Sequence, residues 1–249
     1  ATPALGAGVD VALGQVTAQM AGHKRKQDGT GDNCIRFDPP DGDKTLWVDS
    51  TQEAAAGHGN RLSGGCPTSL DKSVPGGQSA VGITPTPQTQ VQTGTEFLLG
   101  TMRHYNNPIY VNGEPAQFTG NLNVKFLNSP FSFPYELWET PNTCNTNVDP
   151  QQGECSDDIL SFTSIPSGEI TIEVNGVEYA FSLVSAGFTA PAKDQLGKDY
   201  CPATPQGDVK TKFITEEEET TMGCLYGELS QKRKLTLVKE VQWNEQGTG

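Results

Sequence analysis

The 249-residue sequence has no apolar run near the roughly 20 residues of a membrane-spanning helix, which excludes such a span. Histidine is scarce at three, and aromatic residues make up only 8%. No two of the six cysteines form a C-x-x-C pair, so zinc-finger and thioredoxin-type motifs are excluded. There is no G-x-S-x-G elbow, P-loop, H-E-x-x-H or dinucleotide fingerprint. An enzyme is therefore not expected, apart from a glycosidase-like activity, which needs only two carboxylates. Basic residues are in deficit, with 17 Lys and Arg against 30 Asp and Glu, for a net charge of −13. That balance repels phosphate backbones and anionic lipid, so neither nucleic acid nor a membrane surface is an expected partner. No segment carries a sustained 3.6-residue apolar stripe with caps, so helices are not expected.

What is present is punctuation. Twenty-eight Gly and 17 Pro amount to roughly 18% of the chain, above the ~12% of average usage, and favour short strands joined by turns. Strand patterns occur at Glu96–Gly100, Asn121–Leu127, Phe131–Trp138, Asp158–Phe162, Val209–Ile214, Gly223–Leu229 and Lys234–Val241. Glu169–Val174 and Val177–Leu183 alternate most cleanly, around Asn175-Gly176, a strong hairpin signal. Residues 9–16 fit a strand or a helix, with the strand favoured. Residues 49–94 hold few large apolar side chains and read as short strands or as a surface excursion tethered by Cys66. The expected fold is an all-β antiparallel sandwich, jelly-roll or Ig-like. Its organisation reads as an N-terminal extension or strand (1–30), a head (31–230) and a final strand or the start of a stalk repeat (231–249).

The cysteines are Cys34, Cys66, Cys144, Cys155, Cys201 and Cys224. An even count in a turn-rich acidic chain reads as three disulfides and hence export. Of 15 pairings the neighbour scheme 34–66, 144–155 and 201–224 is preferred, because each pair brackets one polar stretch. The start Ala-Thr-Pro-Ala reads as a mature end left after cleavage.

Phe97-Leu-Leu-Gly-Thr-Met-Arg-His-Tyr-Asn-Asn-Pro-Ile109 resembles the "F-x-L-G-x-x-x-H-x-N-x-P-I" hallmark of the choice-of-anchor K domain of bacterial exported proteins. Glu139-Thr-Pro-Asn142, Asp157-Asp158-Ile159, Gly176–Tyr179 and Leu225-Tyr-Gly227 fit that family in the same order, over about residues 70–230. The resemblance implies a secreted or surface β-sandwich, with no catalytic residues to carry over. The four later cysteines and Met102-Arg103 depart from the pattern. Residues 234–248 are similar to the opening of a prealbumin-like, collagen-adhesin B-type stalk repeat, which implies a longer wall protein.

Several clusters could carry chemistry. His104, Asn106 and Asn107 could contact a ligand, or simply bond loop backbone before Pro108. Trp138 is a sugar-platform type of residue but more often core; on a strand it shares a face with Glu136 and not with Glu139. Asp157 and Asp158, with Asp149 in the Cys144–Cys155 stretch, form an oxygen-rich candidate for Ca²⁺, set against a plain solvated loop. Asp38, Asp41 and Asp43 are a weaker calcium-like set. Glu216–Glu219 reads as solvated, with His23–Lys26 and Lys232–Lys234 as basic neighbours. The expected function is an extracellular, non-enzymatic adhesin or ligand-binding head for a host or neighbouring-cell protein or glycan. The alternative is a filament or particle subunit that donates residues 1–22 as a strand to like subunits.

Overall fold

The structure is a computed structural model and describes residues 8–26, 35–59, 77–87, 90–107, 116–127, 129–140 and 157–232. Two antiparallel sheets dominate, and no helix occurs among the described residues. The first sheet runs β19 (Lys212–Thr215), β12 (Asp158–Phe162), β11 (Ser129–Glu139), β10 (Ala116–Phe126), β2 (Thr17–Arg25), β5 (Lys44–Thr45) and β4 (Pro40–Asp41). The second runs β13 (Glu169–Val174), β14 (Val177–Leu183), β20 (Thr220–Gln231), β9 (Glu96–Tyr105), β7 (Ser79–Pro85), β6 (Ala54–His58) and β3 (Ile35–Asp38). Beside β20 lie β15 (Phe188–Thr189) and β18 (Val209–Lys210). Two small ladders, β1 (Asp10–Val11) with β8 (Val91–Gln92) and β16 (Ala192–Lys193) with β17 (Asp199–Tyr200), are the remaining strand pairs among the described residues.

One continuous apolar core joins the facing sides of the two sheets. Strand alternation supplies it: on β11, Phe133, Tyr135, Leu137 and Glu139 point inward while Pro134, Glu136 and Trp138 point outward. Phenylalanines fill most of the space, with ring centroids 4.4 Å apart for Phe162–Phe188 and 4.9 Å for Phe126–Phe181. Such pairs add about 0.5–1.5 kcal/mol beyond their burial.

The stretch with few large apolar residues forms β6 and β7, and all five residues of β6 are buried. Ala54 and Ala56 face the core, while Ala55 and Ala80 pack outward beneath Tyr105. Small side chains are needed because both faces are covered. A Cβ on Gly82 would come within 2.6 Å of the Glu53 carboxylate lying across it.

β2 lies in the N-terminal stretch read as an extension or a strand, and it is a strand. It is an interior strand of the first sheet, paired with β10 and β5. Its register slips between Ala21 and Lys24, where Gly22 takes φ +62°. This is a glycine bulge. It inserts one residue, so that after Ala18 and Met20 the inward position passes to His23, and Lys24 turns out to solvent. The basic cluster is thereby split, and Lys26 pairs with Glu136 at 2.8 Å rather than with the Glu216–Glu219 run. The hairpin at Asn175-Gly176 forms with φ of 52° and 78°, the two positive values that a type I′ turn requires. Cys201 and Cys224 are bonded, with Cα atoms 5.5 Å apart, and tie the loop after β17 to the buried centre of β20. Cys34, Cys66, Cys144, Cys155, Asp149, the Cys144–Cys155 stretch and Lys234–Val241 lie outside the described residues.

Candidate functional site

All three histidines of the chain are buried, His58 and His104 completely and His23 at 3% exposure. They meet at one end of the sandwich, where β6 ends at His58, β9 at Tyr105, β11 at Glu139 and β19 at Thr215, and where β12 begins at Asp158. The pairing of β11 with β12 sets Leu137 opposite Leu160 and Trp138 opposite Ile159. One step further along that register, Glu139 faces Asp158, which is itself paired with Thr215 of β19. Two carboxyls therefore stand side by side on the inner face of the first sheet. His58 and His104 come down on them from the second sheet.

Hydrogen bonds connect the groups. The Tyr135 hydroxyl lies 2.9 Å from His23 Nδ1, His23 Nε2 lies 2.9 Å from His58 Nδ1, and His58 Nε2 lies 2.6 Å from Glu139 Oε1. His58 also stacks on Phe118, with centroids 3.8 Å apart. His104 Nδ1 sits 2.7 Å from Thr215 Oγ1, and Asp158 Oδ1 accepts from the Thr140 N–H at 2.9 Å. One ring nitrogen of His104 and one oxygen each of Glu139 and Asp158 lie within 4.8 Å of one another. No other set of three His, Cys, Asp or Glu comes together in this way among the described residues.

Burial governs the charges. Loss of water holds His23 well below the usual histidine range and lowers His104 to about 3, with the nearby His58 acting in the same direction. Burial pushes Glu139 up to about 7, against the pull of its hydrogen bond to Asp158. Asp158 is raised well above the carboxylate range by burial and by the Glu139 charge. Glu217, in the turn after β19, is half-buried and adds its own charge to both. Neutral histidines facing a carboxyl pair that retains a proton is the state this interior favours without a cation.

The sequence candidates distribute as follows. Asp158 is the buried first residue of β12 and not part of a solvated loop, and it lies beside His104. The backbone carbonyl of Asp157 accepts from the Thr140 hydroxyl. Asn106 is buried and donates to the Thr215 carbonyl, and Asn107 donates to that of Gln78. These two side chains and His104 bond the chain itself. Trp138 stays half-buried on the outer face and is not part of the core. Asp38, Asp41 and Asp43 are spread along β3, β4 and the following turn. His23, His58, Glu139 and Tyr135 were missed as a unit, although His104, Glu139 and Asp158 each fall in a different one of the five short motifs that carry the family resemblance.

The outer face of the first sheet offers a second arrangement. Cross-strand partners share a face, so register aligns a polar row Lys24–Thr119–Glu136–Ser161–Lys212 beside a row Gln117–Trp138–Ile159–Ile214. Next to them a groove of about 360 Å³ is lined by residues that include Lys24, Asp43, Asn121 and Glu136. No protein-family model matches the chain, and no curated protein matches it.

Proposed function

We propose that the chain is an exported, non-enzymatic binding head of a bacterial surface or secreted protein, which contacts a protein or glycan through the outer face of its first sheet. The observation that carries this reading is the pair of adjacent rows, with Trp138 and the 42%-exposed Ile214 beside a line of charged and hydroxyl groups. An aromatic platform flanked by hydrogen-bonding groups suits a sugar or an extended peptide. The Cys201–Cys224 bond fits an oxidising compartment, and no helix of the described chain is long and apolar enough to cross a membrane. The resemblance to the choice-of-anchor K domain points the same way. The histidines that general-base chemistry would use are shut inside the sandwich, which weighs against catalysis. Strand donation by residues 1–22 has less support, because β1 and β2 are already paired with strands of their own chain.

The test is a panel of glycans and extracellular proteins probed with the labelled chain. At least one should bind, and Trp138→Ala should weaken it tenfold or more with the melting curve unchanged. Absence of any ligand, or binding indifferent to Trp138, would overturn the assignment of this face.

A further inference from the structure

The direction of one hydrogen-bond chain fixes the state of His104. The Ile214 carbonyl can only accept, so the Thr221 hydroxyl donates to it at 3.3 Å. Thr221 Oγ1 in turn accepts from the Thr215 hydroxyl at 2.9 Å. Thr215 Oγ1 then accepts from His104 at 2.7 Å, which places the ring N–H on Nδ1. A neutral imidazole carries one N–H, so Nε2 presents a bare lone pair. That atom is buried and has no hydrogen-bond partner among the described residues. Asp158 Oδ2 and Glu217 Oε1 are likewise buried with no N–H or O–H donor among the described residues, Asp158 facing only the Glu139 carboxyl.

On the other side Tyr135, His23, His58 and Glu139 form one hydrogen-bond chain. With Glu139 ionised it accepts from His58 Nε2–H, which sets His23 Nε2–H on His58 Nδ1 and the Tyr135 O–H on His23 Nδ1, both rings neutral. Thr215 behind His104 and His58 behind Glu139 are partners of the kind that orient metal ligands and fix their protonation. Buried polar atoms are ordinarily paired, and orphaned acceptors gathered within one cluster call for a cation.

We propose that His104 Nε2, Glu139 and Asp158 bind a single first-row divalent ion of zinc-like preference, which ties the two sheets together at this end of the sandwich. The donor set decides the metal class. Calcium takes six to eight oxygens, whereas one imidazole with two carboxylates suits zinc and its neighbours. Zinc–ligand distances of roughly 2.0–2.2 Å require only a modest closing of donors already within 4.8 Å of one another. The ion replaces the proton that the Glu139–Asp158 pair otherwise shares, so one proton leaves as the metal enters. Glu217, outside the triad, is half-buried and its charge acts on both carboxyls.

The experiment uses the whole chain, disulfides intact, dialysed against EDTA and then titrated with Zn²⁺ and Co²⁺ under non-reducing conditions. The expected result is one equivalent of either ion, a visible d–d spectrum for cobalt and a raised melting temperature. Asp158→Asn and His104→Gln should each weaken binding at least 100-fold. Thr215→Val, which removes only the positioning hydroxyl, should weaken it about 10–100-fold. Failure of the folded wild type to bind either ion, saturation by calcium instead, or undiminished binding by Asp158→Asn would each overturn the proposal. Should the variants not fold, the wild-type titration and the cobalt spectrum decide alone.

Discussion

His23 stays neutral because water is excluded and both ring nitrogens are engaged, by Tyr135 and by His58. Its folded pKa is lowered, whereas in the unfolded chain it titrates near ~6.5. As pH falls below that value the unfolded state takes up a proton that the folded state refuses, so stability is lost toward acid. Glu139 and Asp158 act in the opposite sense, since their raised values make the folded state hold protons that the unfolded state has released. Comparing wild type with His23→Gln cancels those carboxyls. In EDTA, urea unfolding at pH 7.5 and pH 5 should show the wild type losing ground to the variant by on the order of 1 kcal/mol per pH unit below ~6.5. Parallel pH profiles would mean that His23 charges freely in the folded chain. Little of this was legible in the sequence. His23 stood beside Lys24, Arg25 and Lys26 and read as part of a solvated basic cluster, because nothing in the residue types announces the bulge at Gly22 that turns it inward.

Strands declare themselves in a sequence when one face is apolar and the other polar, as β13 and β14 do. Their turn was legible too, because positive φ at two successive residues is a demand that Asn-Gly meets and few other pairs do. Gly176 has open space where a Cβ would be, so a substitution there tests backbone strain and not packing. Gly176→Val is expected to cost roughly 1–3 kcal/mol, read as a lowered urea midpoint with unchanged m-value. An unaltered midpoint would show that the chain tolerates β-branching in this turn. β6 and β7 were illegible for the opposite reason. Covered on both faces, β6 reads Ala-Ala-Ala-Gly-His with small set against small, and β7 carries only Val81 and Ile83 as larger apolar residues among small neighbours. β2 hid because its bulge breaks the period of two at the point where His23 replaces Lys24 on the inner face.

At the scale of the whole molecule, the cluster draws on residues 23, 58, 104, 139 and 158, set on five strands of two sheets. No spacing rule reaches across such distances; only the topology brings them together. The same topology sets the value of the Cys201–Cys224 bond. With a separation of 23 residues, it closes a loop that passes from β17 through β18 and β19 into the middle of β20. β20 lies between β14 and β9, so the bond anchors an irregular segment to the interior of the second sheet. Closing a loop of that length removes unfolded-state entropy equivalent to about 3 kcal/mol. In a chain of this size each kcal/mol moves the melting temperature by roughly 2–4 °C. Cys201→Ser/Cys224→Ala, measured without reductant, should therefore melt about 6–12 °C below wild type. A drop far smaller would mean that the segment is held by its own contacts. The Tyr226 hydroxyl, which donates to the Pro202 carbonyl at 2.7 Å just beyond Cys201, is the first of those contacts to remove next.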